Sequence, residues 1–135
     1  MIYYREGYKY QLALPYVVQT PIKPWRRIEH EFFALTQEGL LTIKAGYAWD
    51  GASGPTIDTK SSMRAALVHD CFCQLLRNRD LDYDSQAAAV HQFFYDLLRE
   101  DGMWAWRAKL WHAAVVLARG GHPDNEDSNP LMHAP

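Results

Sequence analysis

Apolar and polar residues alternate through much of the first half of the chain, which is the pattern of β-strands with one buried face. In the segment 7–20, Tyr and Leu alternate with Lys and Gln, and Pro15 is expected to bend or end that strand. Two further extended runs, at 28–35 and 40–45, are separated by a short polar segment. This arrangement predicts a hairpin with its turn at 36–39.

The second half of the chain changes to the 3.6-residue period of amphipathic helices. Ser61 or Ser62 is expected to cap a first helix that ends at about residue 78. Asp84 or Ser85 is expected to cap a second helix that ends at about residue 100. A third helix is predicted between Gly102 and the glycine pair at 120–121. Its expected buried stripe consists of Met103, Trp106, Leu110, Ala113 or Ala114, and Leu117.

This order of elements predicts an α+β fold, in which an N-terminal antiparallel β-sheet with hairpins is followed by three helices packed on one side or end of it. We expect one α+β domain over residues 1–119 and a polar tail over 120–135, where no periodicity remains. The segment 46–62 is dense in Gly, Asp, Ser and Pro and is too long for a simple connection. Loops of this kind commonly carry function.

Composition narrows the class of protein further. The 135 residues are 48% apolar and 22% charged, with a net charge of −2, which is typical of one soluble globular domain and gives no positive field for nucleic acid. Cys71 and Cys73 lie two apart in a predicted helix, so they cannot bridge each other. The longest apolar run, 113–118, is far short of the roughly 20 residues of a membrane span, and no secretion signal follows Met1.

The strongest candidate for chemistry is a pair of histidines on the first two helices. His69 lies eleven residues before Asp80, and His91 lies eleven residues after it. If residues 78–82 form a tight turn, the two imidazoles lie at the same level of an antiparallel helix pair. They could then share a metal, or one could orient the other for proton transfer. The alternative is a structural pair of hydrogen-bonded, partly buried histidines.

Two carboxylates extend this candidate site. Asp70 lies in an apolar helix, so it is expected to be paired, metal-bound or at the edge of a cavity, with Arg64 or Arg77 as the alternative structural partner. Asp50, followed by a glycine, suits either a tight turn or a loop that wraps oxygen ligands around a hard cation. Asp50 and Asp70 are therefore the predicted metal ligands.

Trp49, Gly51 and Ser53 complete the predicted binding loop beside these carboxylates. Ser53 is not expected to act as a nucleophile, because the residues around it lack the pattern of a nucleophile elbow. An HD-type phosphohydrolase would also have adjacent His and Asp. Its upstream histidine would have to be His30, which lies on a predicted strand, so this class is not favoured.

Two stretches carry a resemblance to known proteins. The sequences GYAWDGAS at 46–53 and AALVHD at 65–70, with Phe94 three residues after His91, resemble an uncharacterised family of small proteins of bacteriophages and prophages. The resemblance covers most of residues 7–118. It implies a phage context but no particular reaction. Since the sequence shows neither a disulfide framework nor a secretion signal after Met1, synthesis in the host cytoplasm is expected.

A weaker resemblance is to the helix core of phospholipase A2, especially its short bacterial and fungal forms. It implies that His69 is the base that activates water, that Asp50 and Asp70 hold calcium, and that residue 91 orients His69. The chain departs from those enzymes at His91, where they have Asp, and a neutral imidazole does not stabilise an imidazolium as a carboxylate does. Together, His69, Asp70 and His91 would suit a transition metal better than calcium.

These observations predict a phage-encoded, metal-dependent hydrolase that acts on host envelope material, at a lipid ester or a cell-wall bond. The alternative is a non-enzymatic virion component, such as a tail protein, or a host-interaction protein in which the His-Asp site is degenerate. Expected partners are other phage proteins or the host envelope, and association with the virion is left open. Tryptophans among basic residues on the third helix would allow peripheral contact with a membrane or a partner protein. The favoured interpretation is structural: one of these tryptophans lies in the core, and the others cover the edge of the domain.

Overall fold

A computed structural model describes residues 4–5, 10–49, 60–119 and 121–123. The strands are Tyr4–Arg5 (β1), Tyr10–Leu12 (β2), Tyr16–Gln19 (β3), Ile28–Glu29 (β4), Phe33–Leu35 (β5), Leu40–Ile43 (β6) and Ala48–Trp49 (β7). The helices are Lys60–Arg77 (α1), Tyr83–Glu100 (α2) and Ala105–Leu117 (α3). The predicted α+β class, with antiparallel strands before three helices, is confirmed.

The strands form two antiparallel sheets, with the orders β1-β2-β7 and β3-β6-β5-β4. The break between β2 and β3 lies next to Pro15, as the sequence predicts. Two backbone hydrogen bonds hold the segment before β7 against β2: Leu12 N donates to Tyr47 O at 2.8 Å, and Gly46 N donates to Leu12 O at 2.7 Å. This pairing places Trp49 opposite Tyr10 and so fixes where the chain enters the segment 50–59.

The predicted hairpin is present, but its first strand is shorter than expected. β5 and β6 are antiparallel and joined at 36–39, where the amide of Leu40 donates to Thr36 Oγ1 at 3.0 Å. The run 28–35 is not one strand: the chain turns at 30–32, and β4 folds back so that Ile28 pairs with Leu35. A hydrogen bond from His30 N to Phe33 O at 2.7 Å closes this turn, and the His30 ring stacks on Phe33.

α1 and α2 form an antiparallel pair with a tight connection at 78–82, as the histidine spacing required. The amide of Asp80 donates to Leu75 O at 2.9 Å, and Arg79 has a φ of 63°. The N-cap of α2 is Asp82, whose side chain accepts from the amide of Ser85 at 3.0 Å. The prediction of Asp84 or Ser85 as the cap is therefore wrong, because both already lie inside the first turn of the helix.

The predicted buried stripe of α3 is right for Met103, which is buried before the helix begins, but wrong for most of the positions within the helix. Trp106, Leu110 and Leu117 are exposed, whereas Ala108 and Trp111 are buried against the rest of the protein. Trp111 packs towards α2, with its ring centroid 6.3 Å from that of Phe94. Because α3 is apolar on both sides, the hydrophobic period alone cannot say which side faces the core.

Arg64 ties α1 to the end of α2 and to β3. Its guanidinium donates twice to the Asp101 carboxylate, through Nε to Oδ2 and Nη2 to Oδ1, both at 2.9 Å. It also donates to Glu100 Oε1 at 2.9 Å and to Tyr16 Oη at 3.1 Å. The interpretation of Arg64 as a partner of Asp70 is therefore wrong.

Two further observations concern the predicted tail and membrane spans. Gly121, in the predicted tail, is buried, and the ring of His122 lies 4.6 Å from that of Tyr83. In the described ranges, no helix has the length and apolar character needed to cross a membrane.

Candidate functional site

The two predicted histidines are in direct contact between α1 and α2. His69 Nε2 lies 2.9 Å from His91 Nδ1, and the ring centroids are 5.1 Å apart. His69 is partly buried, and His91 is 3% exposed. The antiparallel pairing of the helices brings together two residues that are 22 positions apart in the chain.

Both imidazoles are held in the neutral form. Burial, with smaller contributions from His91, Arg77 and His112, lowers the pKa of His69 from 6.5 to about 3. Burial also lowers the pKa of His91 to about 4, with a smaller contribution from His112. At neutral pH the close contact of the two rings is therefore a hydrogen bond between neutral imidazoles, in which one nitrogen donates and the other accepts.

Only one of the two proton arrangements leaves His69 able to act as a base. If His69 Nε2 donates to His91 Nδ1, the other nitrogen of His69, Nδ1, has a free lone pair. If His91 donates instead, His69 Nδ1 carries the proton. His91 Nε2 is buried with no hydrogen-bond partner among the described residues, so His91 has an unsatisfied nitrogen in either arrangement.

Cys73 and Phe94 form the surroundings of the His69 ring. Cys73 Sγ lies 3.6 Å from His69 Nδ1 and 3.7 Å from Nε2. A sulfur that is nearly equidistant from both nitrogens lies along the lone-pair direction of neither. The Phe94 ring centroid is 4.7 Å from that of His69, so an aromatic ring forms an apolar wall beside the His69–His91 pair, which we call the dyad.

The Cys73 thiol is not activated. Burial, together with the charge of Asp70, raises its pKa to about 12. A thiol with so high a pKa is protonated at neutral pH, so it is neither a nucleophile nor a thiolate ligand in this state. Cys73 lies one helical turn after His69, and this i,i+4 spacing is the signal by which the sequence could have placed it at the site.

Asp70 faces a different neighbour from His69. Tyr47 Oη donates to Asp70 Oδ2 at 3.4 Å, across 23 positions of the chain. Tyr47 is 2% exposed, and burial raises the pKa of its phenol, with contributions from Cys71 and Asp70. Asp70 itself is partly exposed. Consecutive helix positions point about 100° apart, so His69 is directed towards α2 while Asp70 is directed towards the segment before β7.

The predicted binding loop lies mostly outside the described residues. This holds for Asp50, Gly51 and Ser53, whereas Trp49 is described at the end of β7 and is 1% exposed. The Trp49 indole therefore belongs to the hydrophobic core. Within the described ranges, no group of three or more His, Cys, Asp or Glu side chains is arranged to hold a metal ion.

A cavity of about 730 Å³ lies elsewhere, around the connection between α1 and α2. Its lining comprises residues 23–25, 79–86 and 122–123. None of His69, Asp70 and His91 lines it. The cavity is therefore separate from the candidate site around the two histidines.

Comparison with known proteins places the chain in a family. The family model described as "Protein of unknown function (DUF1353)" matches residues 25–115, more than half of the chain. The chain belongs to this family. The DUF1353 match begins before β4, ends within α3, and includes both histidines and Asp70. No curated protein and no solved structure matches the chain. Function must therefore be argued from the site itself.

Proposed function

We propose that this protein is a divalent-cation-dependent hydrolase of ester bonds in host envelope lipids. His69 is the general base, His91 orients it, and Asp70 provides a cation ligand together with Asp50 in the loop. The observation that carries the proposal is the 2.9 Å contact between His69 Nε2 and His91 Nδ1. This contact holds the His69 ring in place, and in the arrangement in which His69 Nε2 donates to His91 Nδ1 it leaves His69 Nδ1 as the nitrogen that takes a proton from water.

The low pKa of His69 favours a reaction in which a bound cation assists the base. A base that is neutral at pH 7 is in the correct form to accept a proton, but with a pKa of about 3 it is too weak to deprotonate ordinary water efficiently. A bound divalent cation would supply the missing driving force by acidifying a water and by stabilising the oxyanion of the ester. His69 would then remove a proton from a water molecule whose pKa the cation has already lowered.

The donor chemistry next to His69 fits a hard cation. Asp70 is a partly exposed carboxylate, and it accepts a hydrogen bond from the Tyr47 hydroxyl. Oxygen donors of this kind suit calcium. The histidine nitrogens, by contrast, are hydrogen-bonded to each other, so a transition metal would have to break that bond first.

The biological setting is part of the proposal. The sequences at 46–53 and 65–70 resemble those of phage proteins, which supports a phage origin, and the resemblance to the helix core of phospholipase A2 supports a lipid ester as substrate. The substrate is then a glycerophospholipid of the host envelope. Other phage proteins are the expected partners of such a chain.

One observation favours a second function, a non-enzymatic virion or host-interaction protein. Position 91 holds a neutral, nearly fully buried imidazole where a carboxylate would stabilise the imidazolium of His69. In that case the dyad is a structural hydrogen bond between α1 and α2. The two functions differ in one measurable respect: only the hydrolase releases fatty acid, and that release depends on His69.

Fatty-acid release from vesicles of phosphatidylglycerol and phosphatidylethanolamine, in calcium or in EDTA, tests the proposal. We expect calcium-dependent release that His69→Gln lowers by at least about 100-fold. His30→Gln is the matched control, because His30 is exposed and stacks on Phe33. Absence of release, or equal rates for the wild type and His69→Gln, would contradict the hydrolase and favour the non-enzymatic function.

A further inference from the structure

The side of α3 that faces away from the core is unusually apolar. Five of the eight large apolar side chains exposed in the described part of the chain belong to α3 or the residue before it: Trp104, Trp106, Leu110, Val116 and Leu117. We refer to these five residues as the outer face of α3. Positions 106, 110 and 117 repeat at helical spacing, on the side of the helix opposite the buried Ala108. Leu117 is 83% exposed and Trp104 70%, so the face is open to solvent.

The charged side chains in the segment that contains this face are all basic. The segment 102–123 contains Arg107, Lys109 and Arg119 and no Asp or Glu, although the whole chain has 14 basic and 16 acidic residues. The protein as a whole is therefore slightly negative while this segment carries three positive charges. Such a surface is complementary to a negatively charged partner.

The chemistry of the face matches a lipid surface better than a second copy of the chain. Tryptophan prefers the boundary between water and hydrocarbon, and nearby Lys and Arg side chains are attracted to anionic headgroups. A symmetric dimer through this face would bring Lys109 and Arg107 of one copy towards those of the other, which is unfavourable. At 13 residues, α3 is too short to span a bilayer but long enough to lie in its plane.

We infer that the outer face of α3 docks the protein on a bilayer surface that contains anionic phospholipid. This inference builds on the proposed function, since it supplies the surface on which a lipid esterase would work. It concerns binding, however, and not hydrolysis. It can be tested on vesicles of ether-linked lipids, which have no ester bond to cleave.

The test is co-sedimentation of the full chain with ether-linked phosphatidylglycerol vesicles and with ether-linked phosphatidylcholine vesicles. We expect binding to the anionic vesicles, a blue shift of tryptophan fluorescence, and weaker binding at high salt. Trp106→Ala is expected to weaken binding roughly tenfold or more, because it removes apolar area from the contact. Lys109→Glu, which reverses one charge, is expected to have an effect of about the same size.

The controls separate this inference from its alternatives and from the proposed activity. Trp25→Ala removes an even more exposed tryptophan at another place and is expected to leave binding unchanged. His69→Gln is expected to bind the ether-lipid vesicles as the wild type does, whether or not the protein is a hydrolase. Absence of vesicle binding would overturn the inference, as would a larger effect of Trp25→Ala than of Trp106→Ala. A wild-type dimer in sedimentation velocity that Trp106→Ala dissociates would show that a second copy covers the face, and would also overturn it.

Discussion

Nδ1 of His91, the atom 2.9 Å from His69 Nε2, is bonded directly to Cγ of its side chain. In aspartate, Oδ1 is bonded to Cγ in the same way, so an aspartate at position 91 would present its acceptor at nearly the same point. His91 therefore reproduces the position of a carboxylate oxygen without its charge. The dyad has the geometry to orient His69, but it lacks the electrostatic support that a protonated His69 needs.

The first prediction follows from this substitution of one acceptor for another. His91→Asp is expected to raise the pKa of His69 by about one to three units, because a carboxylate within hydrogen-bond distance stabilises the imidazolium. His91→Asn is the matched control, since it offers an uncharged oxygen at the same place. NMR titration of the His69 ring protons measures the pKa in each variant. Equal values in the Asp and Asn variants would show that charge at position 91 does not govern His69.

The second prediction concerns stability at low pH. In the unfolded chain both histidines bind protons near pH 6.5, whereas in the folded protein they stay neutral down to about pH 4. The unfolded state therefore binds more protons in this window, and the free energy of unfolding falls as the pH decreases from about 6.5 to about 4. At about 1.4 kcal/mol per pH unit for each histidine, the loss over this window is expected to be several kcal/mol.

Urea unfolding between pH 7 and pH 4 measures this loss. The double variant His69→Gln/His91→Asn has neither titrating group and is the control. Its free energy of unfolding is expected to change less over the same range. Parallel pH profiles for the wild type and the double variant would show that the dyad is not the source of the dependence.

The third prediction concerns Arg64, whose side chain is only 15% exposed and donates twice to Asp101. Arg64→Ala is expected to lower the free energy of unfolding by about 2–4 kcal/mol, because it leaves the partly buried Asp101 carboxylate without its partner. Arg27→Ala breaks the exposed Arg27–Glu29 pair and is expected to cost less than about 1 kcal/mol. Similar losses in urea unfolding for the two variants would contradict the role given to Arg64.

The fourth prediction concerns the two cysteines. Cys71 and Cys73 are both buried, and burial raises the pKa of each thiol. Neither is expected to react with a thiol reagent such as DTNB at pH 8 in the folded protein, and both are expected to react in urea. Rapid labelling of the native protein at Cys73 would show that this side chain is accessible beside His69, and it would contradict the conclusion that its thiol is buried and protonated.

The sequence was most informative where the spacing of residues was compatible with only one arrangement of the helices. Equal spacing of His69 and His91 from Asp80 predicted that the two imidazoles lie at the same level once α1 and α2 were antiparallel, and the structure brings them into contact. The same reasoning failed for α3, because both of its sides are apolar and only packing against Phe94 decides that Trp111 is buried. Local apolar patterning therefore locates a helix more reliably than it orients one.

Other features depended on contacts between distant residues. The contact of Tyr47 with Asp70 crosses 23 positions, including a segment without periodicity, so no local pattern could indicate it. The break in the run 28–35 depends on a turn closed by Phe33 and on the pairing of β4 with β5. The N-cap of α2 lay among several acidic and hydroxyl residues of similar capping strength, and only the observed bond from Ser85 to Asp82 selects one.

The most direct test of the central claim is the rate of calcium-dependent fatty-acid release measured in four proteins: the wild type, His91→Asp, His69→Gln and the combination His69→Gln/His91→Asp. If His69 is the base and His91 orients it, His91→Asp is faster than the wild type, and His69→Gln abolishes release whichever residue is at position 91. Release that persists in both proteins with His69→Gln, or that is absent from the wild type, would contradict the account.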